Sequence, residues 1–379
     1  MDSPGAAANP AKPLRVLVCD DQPDVLEAMR LLLKGQGYQA VTVDSPGALL
    51  RAAREEVFDL ILADLNYTRD TTSGQEGLQL LASLEAHGNA APVIVMTAWG
   101  NVDLAVEAMR RGACDFIQKP WDNERVIASI RKQAESRRRR KSELEIAANV
   151  QQKLFPRNLR RLQTLDYAGQ CVAAREVGGD YYDFLEVADH TVAFVLADVS
   201  GKGVPAALLM ANLQACFRSL APESLLLPAR ALETVNHHFY NSTAAERFAT
   251  LFLGIYNDRT RRLRYVNAAH VPPLLLHAPG ELRKLDATAT MLGAFPEWSS
   301  AEAEAEINPG DTLLAYSDGV TEASANEVDE FGEERLVAAL RRQAGKPAGV
   351  LVQEILDAVA DFSVGSRSDD VTVVAARGV

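Results

Sequence analysis

Five short apolar runs in the first third of the chain each lead into a polar or charged residue, and this pattern restricts the fold more than any other feature. The runs alternate with helical patterns, such as the one from Pro23 to Lys34, in which apolar residues recur every three or four positions. Continuous apolar strands alternating with amphipathic helices predict an α/β domain with a parallel sheet covered on both faces. The predicted strands are Leu14–Cys19, Ala40–Val43, Phe58–Ala63, Pro92–Met96 and Ala113–Gln118.

The residues at the ends of these strands carry groups suited to phosphate chemistry. Ligands of an open parallel sheet bind at the carboxyl ends of its strands, so these side chains are expected to meet. Three clustered carboxylates repel one another unless a divalent cation lies among them. A hydroxyl and an ammonium at the same edge can donate hydrogen bonds to a phosphoryl group. The residues are Asp20, Asp21, Asp64, Thr97 and Lys119.

With these residues, the region from Pro13 to Arg131 resembles response-regulator receiver domains. Its segment VMTAWGNVDLAVEAMRRGACDFIQKP, which ends at Pro120, is close to the family pattern. The resemblance implies a doubly wound, flavodoxin-like fold with five parallel strands. It also implies phosphorylation of Asp64 by a sensor histidine kinase or a phosphotransfer protein. The loop Leu65–Gly77 is longer than the family's usual turn, and we expect it to alter partner choice or phosphoryl lifetime.

The same resemblance assigns two further roles at the edge of the sheet. The acidic residues and a backbone carbonyl would hold Mg²⁺, while a hydroxyl, an aromatic ring and an ammonium would respond to the phosphoryl group. The implied Mg²⁺ ligands are Asp20, Asp21, Asp64 and the carbonyl of Asn66, and the implied switch residues are Thr97, Phe116 and Lys119. Residues 1–12, which precede this domain, are predicted to be flexible.

A single long helix is predicted over residues 121–156, a stretch with no glycine and no internal proline. A seam of alternating three- and four-residue spacing runs along it from Val126 to Leu154. Five of its nine positions are apolar, and its middle is polar. This predicts a helical linker that forms a marginal coiled coil and a homodimer.

Beyond Asp166 the pattern changes to apolar strands with helices segregated between them, which predicts an α+β layered domain. The predicted strands are Asp166–Ala174, Val192–Val199, Phe248–Tyr256, Arg262–Val266, Pro272–Leu276, Thr312–Tyr316 and Val371–Ala375. The predicted helices are Val204–Ser219, Ala229–Tyr240, Glu333–Arg342 and Val350–Phe362.

Four acidic sites in this half lie next to predicted strands or follow a pair of glycines. A set of carboxylates without histidine or cysteine partners selects Mg²⁺ or Mn²⁺ over Zn²⁺. Two such ions ~3.5–4 Å apart can activate a water molecule, so that no protein nucleophile is needed. Ser200 and Ser317 adjoin the aspartates but have no neighbouring histidine to act as a base. The sites are Gly178-Gly179-Asp180, Asp198, Asp318 and Asp369-Asp370.

These motifs give residues 160–379 a resemblance to the bacterial PPM (PP2C-type) serine/threonine phosphatases of the sporulation and stress-response group. The resemblance implies a β-sandwich flanked by helices. The motifs are EVGGDYYDF from Glu176, ADVSGKGVPAALLMA from Ala197, YVNAAHVPPLLL from Tyr265, LLAYSDGVTEA from Leu313 and SDDVTVV from Ser368. In addition, ELEIAANVQQKLFP from Glu143 resembles the helix that precedes the family's catalytic core and transmits control to it.

The resemblance also implies the ligands and the substrate. Two Mn²⁺ or Mg²⁺ ions would be bound, one by Asp180, Asp198 and the carbonyl of Val199, the other by Asp198, Asp318 and Asp369. Supporting roles are implied for Asp370, Gly179 and Arg175, the last as a phosphate contact. The implied substrate is phosphoserine or phosphothreonine on a protein, specifically an anti-sigma-factor antagonist.

Composition argues against nucleic-acid partners and membrane insertion, and it favours a reducing compartment. A net charge of −12 opposes a broad nucleic-acid-binding surface. No apolar run approaches the ~20 residues of a membrane span. Four scattered cysteines without a CxxC pair suit a reducing cytoplasm, where we expect the protein to function. His237, His238 and His270 are predicted to be packing or surface residues.

Two interpretations of the second half remain open. One is a phosphatase controlled by phosphorylation of Asp64. The other is a phosphorylation-dependent adaptor with an inactive phosphatase-like domain, and the full set of aspartates favours the enzyme over it. A transcription factor is disfavoured, because no helix-turn-helix-like segment follows the first domain. The sequence does not define the kinase, the physiological metal or the sign of regulation.

Overall fold

The chain divides into two units, Met1–Glu143 and Leu144–Val379, each with its own hydrophobic core. The computed structural model describes residues 13–67, 74–86, 91–98, 102–244, 246–278, 280–325, 329–363 and 367–379. Residues 1–12 and the middle of the predicted long loop Leu65–Gly77 lie outside the described residues. None of the described helices is long and apolar enough to span a membrane.

The first unit is built on a five-stranded parallel sheet. Its strands are β1 (Arg15–Cys19), β2 (Gln39–Val43), β3 (Leu60–Asp64), β4 (Val93–Ala98) and β5 (Asp115–Lys119), and the helices between them are α1 (Pro23–Gly35), α2 (Pro46–Glu55), α3 (Gln75–Ala86) and α4 (Val102–Arg110). The spatial order β2-β1-β3-β4-β5 is the doubly wound, flavodoxin-like order that was predicted. In this order a crevice opens at the carboxyl ends of β1 and β3, where the strand sequence changes direction.

Burial on both faces explains why the central strands β1 and β3 are continuously apolar. Successive side chains of a strand point to opposite faces of the sheet. In β1, Leu17 and Cys19 pack into one core cluster, whereas Val16 and Val18 pack into the cluster on the other face. All four side chains are fully buried, so polar residues are confined to the strand ends.

Helix α5 (Asn123–Gln151) begins in the first unit and ends in the second. Val126 and Ile130 of the predicted coiled-coil seam are fully buried in the core of the first unit. Gln133 and Arg137 of the same seam donate hydrogen bonds to carbonyls of that unit, at Cys114 (3.1 Å) and Phe58 (2.7 Å). The first part of the seam therefore packs against its own unit, because a sheet face and free carbonyls are available there.

Helix α5 ends five residues before Pro156, earlier than the absence of glycine and proline predicted. Beyond Gln151 the hydrogen bonds tighten, since Leu154 N–H donates to the Gln151 carbonyl at 2.9 Å. Leu154 and Phe155 then turn into the core of the second unit, where Phe155 stacks on Tyr182 with ring centroids 5.2 Å apart. Burial of these two side chains draws the chain away from the helix axis.

The second unit is a sandwich of two five-stranded antiparallel sheets with helices on its outer faces, as predicted. One sheet has the order β13-β10-β9-β8-β7 and the other β12-β11-β14-β15-β6. The strands are β6 (Leu165–Val172), β7 (Tyr181–Ala188), β8 (Thr191–Val199), β9 (Ala249–Asn257), β10 (Arg262–Ala268), β11 (Leu274–Leu276), β12 (Leu282–Lys284), β13 (Ala303–Glu306), β14 (Thr312–Tyr316) and β15 (Val371–Gly378). The helices are α6 (Val204–Ser219), α7 (Pro228–Ser242), α8 (Asp318–Thr321), α9 (Gly332–Arg342) and α10 (Ala348–Phe362), with a 3-10 turn at Pro222–Leu226.

The strand connections bring the predicted acidic sites to the sandwich from both of its sheets. Asp180 immediately precedes β7 and Asp198 lies near the end of β8, and these two strands are neighbours in one sheet. Asp318 follows β14, and Asp369 precedes β15, which is the neighbour of β14 in the other sheet. Because paired antiparallel strands place the end of one beside the start of the next, each pair of aspartates shares one edge.

Candidate functional sites

An acidic pocket lies at the carboxyl ends of β1, β3 and β5. Carboxylate oxygens of Asp20, Asp21 and Asp64 all lie within 4.8 Å of one another. The Lys119 Nζ atom donates to Asp20 Oδ2 at 2.6 Å and to Asp64 Oδ2 at 2.8 Å. The structure thus brings together four of the residues that the sequence predicted to meet.

Burial and charge act in opposition in this pocket. The side chain of Asp64 is 5% exposed. Burial raises the pKa of Asp64, and the Lys119 ammonium offsets part of that rise. Burial alone would lower the pKa of Lys119, but the Asp64 and Asp20 carboxylates raise it above its ordinary value. Asp64 is therefore a buried carboxylate held beside a fixed cation.

The remaining predicted residues of the pocket also come from strand ends. Thr97 is buried in β4, and Phe116 in β5 is half-buried against the core that contains Leu17. The backbone N–H of Asn66 donates to the Asp64 carboxylate, while its side-chain Oδ1 is buried without a hydrogen-bond partner among the described residues. Hard oxygen ligands around a carboxylate triad suit Mg²⁺.

A second cluster of carboxylates lies in the sandwich unit. Asp180 is 2% exposed, and its Oδ2 accepts a hydrogen bond of 2.6 Å from the Thr372 hydroxyl. Asp198, Asp318 and Asp369 are partly exposed, so this cluster is open to solvent on one side.

Like charges in this second cluster act on one another. Burial, and next the negative charge of Asp198, raise the pKa of Asp180 well above its usual range. Burial together with the charges of Asp318 and Asp369 raises the pKa of Asp198 to about 7. Burial and the charge of Asp369 also raise the pKa of Asp318. Such mutual repulsion favours the binding of cations among the carboxylates.

Asp370 joins the two edges of the cluster. Its carboxylate accepts hydrogen bonds from the backbone N–H groups of Ala174 (2.8 Å), Gly179 (2.6 Å) and Asp180 (3.3 Å). Its backbone carbonyl accepts the Ser317 hydroxyl at 3.3 Å. Both carboxylate oxygens of Asp370 are therefore used as acceptors for backbone N–H groups.

Three cationic side chains lie in or beside the loop that follows Asp198. Lys202 Nζ lies 2.7 Å from Asp369 Oδ2 and also donates to the Ser368 carbonyl at 2.7 Å. Arg247 donates to the Ser200 carbonyl at 2.9 Å. Exposed Arg175 has its guanidinium 3.7 Å from the position of a Cβ on Gly203. An acidic cluster beside basic side chains can hold metal ions and a phosphate together.

Sequence reasoning missed the contacts of Lys202 and Arg247, and also that of Gln151, whose Nε2 donates to the Gly178 carbonyl at 2.7 Å. Lys202 lies within a recognised motif, so its position between two glycines was a usable signal. Arg247 and Gln151 gave no local signal, because their partners are 47 and 27 residues away along the chain.

The oxygen-only donor set of the second cluster fits Mn²⁺ or Mg²⁺. Among the described residues, only the pocket of Asp20, Asp21 and Asp64 gathers three carboxylate ligand atoms within 4.8 Å of one another. The carboxylates of the second cluster are more widely spread.

Comparison with known families identifies both units. Residues 188–378 match the model of Stage II sporulation protein E (SpoIIE), and residues 16–131 match the response regulator receiver domain. Phosphoserine phosphatase RsbU of Bacillus subtilis is 30% identical over 238 residues, which cover 62% of this chain and 70% of RsbU. Transcriptional regulatory protein ZraR of Escherichia coli K12 is 35% identical over 117 residues, which cover 31% of this chain but only 25% of ZraR.

A solved structure supports the fold of the second unit. The SiaA-PP2C domain of Pseudomonas aeruginosa superposes with a TM-score of 0.54 at 19% identity, covering 64% of this chain and 98% of that domain. At this identity the likeness concerns the fold alone.

Proposed function

Because the chain belongs to the SpoIIE family of PPM-type phosphatases and also carries a receiver domain, we propose that it is a response regulator whose output is hydrolysis of phosphoserine or phosphothreonine on a protein. The observation that carries the proposal is the convergence of Asp180, Asp198, Asp318 and Asp369, whose mutual repulsion calls for divalent cations. The relative RsbU is named a phosphoserine phosphatase, which supports the substrate class. The family resemblance supports an anti-sigma-factor antagonist as the protein that carries the phosphate.

The chemistry follows from the roles of the side chains. Asp180, Asp198, Asp318 and Asp369, with the Val199 carbonyl, would hold two Mn²⁺ or Mg²⁺ ions. When bound, these ions supply charge neutralisation for the phosphoryl group and activation of water. Asp370 keeps the loop of Asp180 in place through its backbone hydrogen bonds. Arg175, which is exposed, would contact the substrate phosphate.

Control is assigned to the first unit. Asp64 would accept a phosphoryl group from a histidine kinase or phosphotransfer protein, with Mg²⁺ held by Asp20, Asp21 and the Asn66 carbonyl. Thr97, Phe116 and Lys119 would respond to it. Helix α5 would carry the response, and its exposed Ile146 and Val150, four residues apart, offer an apolar stripe for pairing in a homodimer.

The activity is tested by Mn²⁺-dependent hydrolysis of p-nitrophenyl phosphate and of a phosphoserine peptide. We expect turnover with Mn²⁺, none with chelator, and loss of turnover in Asp318→Asn without loss of fold. The matched control is Asp258→Asn, which changes a buried aspartate whose partners are Gln163 and Thr164, away from the cluster. The control should lose stability yet keep its turnover per folded molecule. A wild type no faster than Asp318→Asn would reject the enzyme and favour the adaptor.

A further inference from the structure

The last residue of helix α5 is hydrogen-bonded to the loop that leads into Asp180. The Gln151 Nε2 group donates to the Gly178 carbonyl at 2.7 Å, and the Gly178 N–H donates to Gln151 Oε1 at 3.1 Å. Gln151 is 8% exposed. Because both atoms of one carboxamide bind both polar groups of one residue, the position and the orientation of that residue are fixed together.

The loop Gly178-Gly179 is packed so closely that even a Cβ atom would not fit at either glycine. A Cβ on Gly178 would lie 2.2 Å from the Asp370 carboxylate, and one on Gly179 would lie 2.8 Å from the Val199 carbonyl. The Gly179 N–H is held by Asp370 at 2.6 Å. Because Gly179 packs against the Val199 carbonyl and joins Gly178 to Asp180, a shift of Gly178 is expected to displace both of those groups.

The chemistry at this position requires an amide. A glutamate of the same length can accept the Gly178 N–H but, when ionised, repels the Gly178 carbonyl. A methionine fills similar space but forms neither hydrogen bond, so it leaves two buried backbone groups of Gly178 unpaired. Neighbouring Gln152 is exposed, whereas Gln151 is buried, so Gln152 provides a matched position for control variants.

We propose that Gln151 is a positioning residue for metal binding, which makes the end of helix α5 part of the structure that holds Asp180 and Val199 in place. This inference rests on the proposed function and deepens it, since it names the residue through which the orientation of the helix reaches the metal ligands. Gln151 does not contact the substrate. Its loss should weaken metal binding and lower kcat, while KM for a small substrate stays unchanged.

The test compares Gln151→Glu and Gln151→Met with Gln152→Glu and Gln152→Met in the full-length protein. Mn²⁺ affinity is measured by isothermal titration calorimetry, and kcat and KM are measured for p-nitrophenyl phosphate at saturating Mn²⁺. Outer-shell partners of metal ligands typically affect metal affinity ten- to a hundredfold, so we expect a loss of roughly that size in both Gln151 variants. Both Gln152 variants should match the wild type.

Folded Gln151 variants that bind Mn²⁺ as the wild type does would overturn the inference, as would variants that lose stability alone. A wild type that neither binds Mn²⁺ nor hydrolyses substrate would instead reject the proposed function. If the Gln151 variants do not fold, the inference is tested by amide hydrogen exchange of the wild type with and without Mn²⁺. Mn²⁺ should protect residues 147–154 and 174–181 together, and protection confined to the loop would contradict the proposal.

Discussion

At the scale of single residues, both candidate sites depend on carboxylates that are costly to keep charged where they lie. Burial raises the pKa of Asp64, and the cation that offsets this is Lys119, whose Nζ lies 2.8 Å away. A nucleophilic carboxylate next to a fixed ammonium can attack phosphorus while the ammonium stabilises the charge on the phosphoryl group.

Asp64 is expected to be the phosphorylated residue. Acetyl phosphate with Mg²⁺ should label the protein, and hydroxylamine should remove the label because it cleaves acyl phosphates. The Asp64→Asn variant should not be labelled. The control is Asp59→Asn, which changes an aspartate whose carboxylate accepts the Arg15 backbone N–H. This variant should be labelled as the wild type is. Label that persists in the Asp64 variant would contradict the assignment.

His270 gives a prediction about pH. It is 3% exposed, and burial lowers its pKa to about 4. An unfolded histidine titrates near ~6.5, so between these values the unfolded chain binds a proton that the native protein does not. Stability should therefore fall as the pH falls from ~6.5 to ~4, by on the order of 3 kcal/mol from this residue.

This contribution is measured as the difference between wild type and His270→Gln. The variant should lose about 3 kcal/mol less than the wild type over that pH interval. Urea unfolding of the second unit can be followed by the fluorescence of buried Trp298 in a Trp99→Phe/Trp121→Phe background. Exposed His237 is the control, and His237→Gln should show the wild-type pH dependence. If the free energies of unfolding of the wild type and His270→Gln changed in parallel with pH, native His270 would bind a proton as readily as it does in the unfolded chain.

Among the strands and helices, the strands with apolar sequences were predicted correctly. A strand whose buried charge pairs with a residue far along the chain was missed. Strands β1 and β3 were found because each is buried on both faces and reads as a continuous apolar run. The less buried strands β2 and β5 were found from shorter apolar stretches. Strand β7 was missed because its sequence YYDFLEVA carries a carboxylate in the middle. That carboxylate, Asp183, is fully buried and bound by Arg218, which lies 35 residues further along the chain.

The same distinction applies to the sites. The strand-end aspartates could be predicted from the sequence, because apolar runs show where each strand stops. The contacts of Gln151 and Arg247 could not, because they depend on how segments that are distant along the chain meet. The early end of helix α5 also has a tertiary cause, namely the burial of Leu154 and Phe155.

The pair between Asp183 in β7 and Arg218 in α6 is expected to stabilise the second unit. Arg218 binds both carboxylate oxygens, at 2.8 and 2.6 Å. Removal of the cation leaves the buried Asp183 carboxylate with only the neutral donors of Tyr181 and Phe184. Because the Arg218 side chain is 47% exposed, Arg218→Met should lower the free energy of unfolding by roughly 1–3 kcal/mol.

The Trp298 fluorescence assay also measures this effect. The double variant Asp183→Asn/Arg218→Met should lose less than the sum of its single variants, because the uncompensated charge is gone. The control Arg262→Met breaks an exposed pair with Glu306 and should cost less than ~1 kcal/mol. Equal losses in the free energy of unfolding for Arg218→Met and Arg262→Met would show that the pair with buried Asp183 stabilises the protein no more than an exposed pair does.

At the scale of the whole molecule, helix α5 is the element shared by the two units. Within the first unit, Arg137 binds the Phe58 carbonyl, and within the second, Gln151 binds Gly178. A continuous helix fixed at both ends can carry a change from one site to the other if it has two arrangements. We therefore propose that phosphorylation of Asp64 changes phosphatase turnover through this helix.

The most direct test measures Mn²⁺-dependent turnover of the full-length protein with and without beryllofluoride, which mimics the phosphoryl group on Asp64. We predict a change of roughly 5- to 150-fold, the size of typical allosteric coupling, and the family resemblance favours activation as its direction. Asp64→Asn should not respond, and a Gly-Gly insertion between Ser142 and Glu143, which interrupts helix α5, should abolish the response while leaving basal turnover. Turnover that is unchanged by beryllofluoride, or an insertion variant that responds as fully as the wild type, would contradict control through the helix.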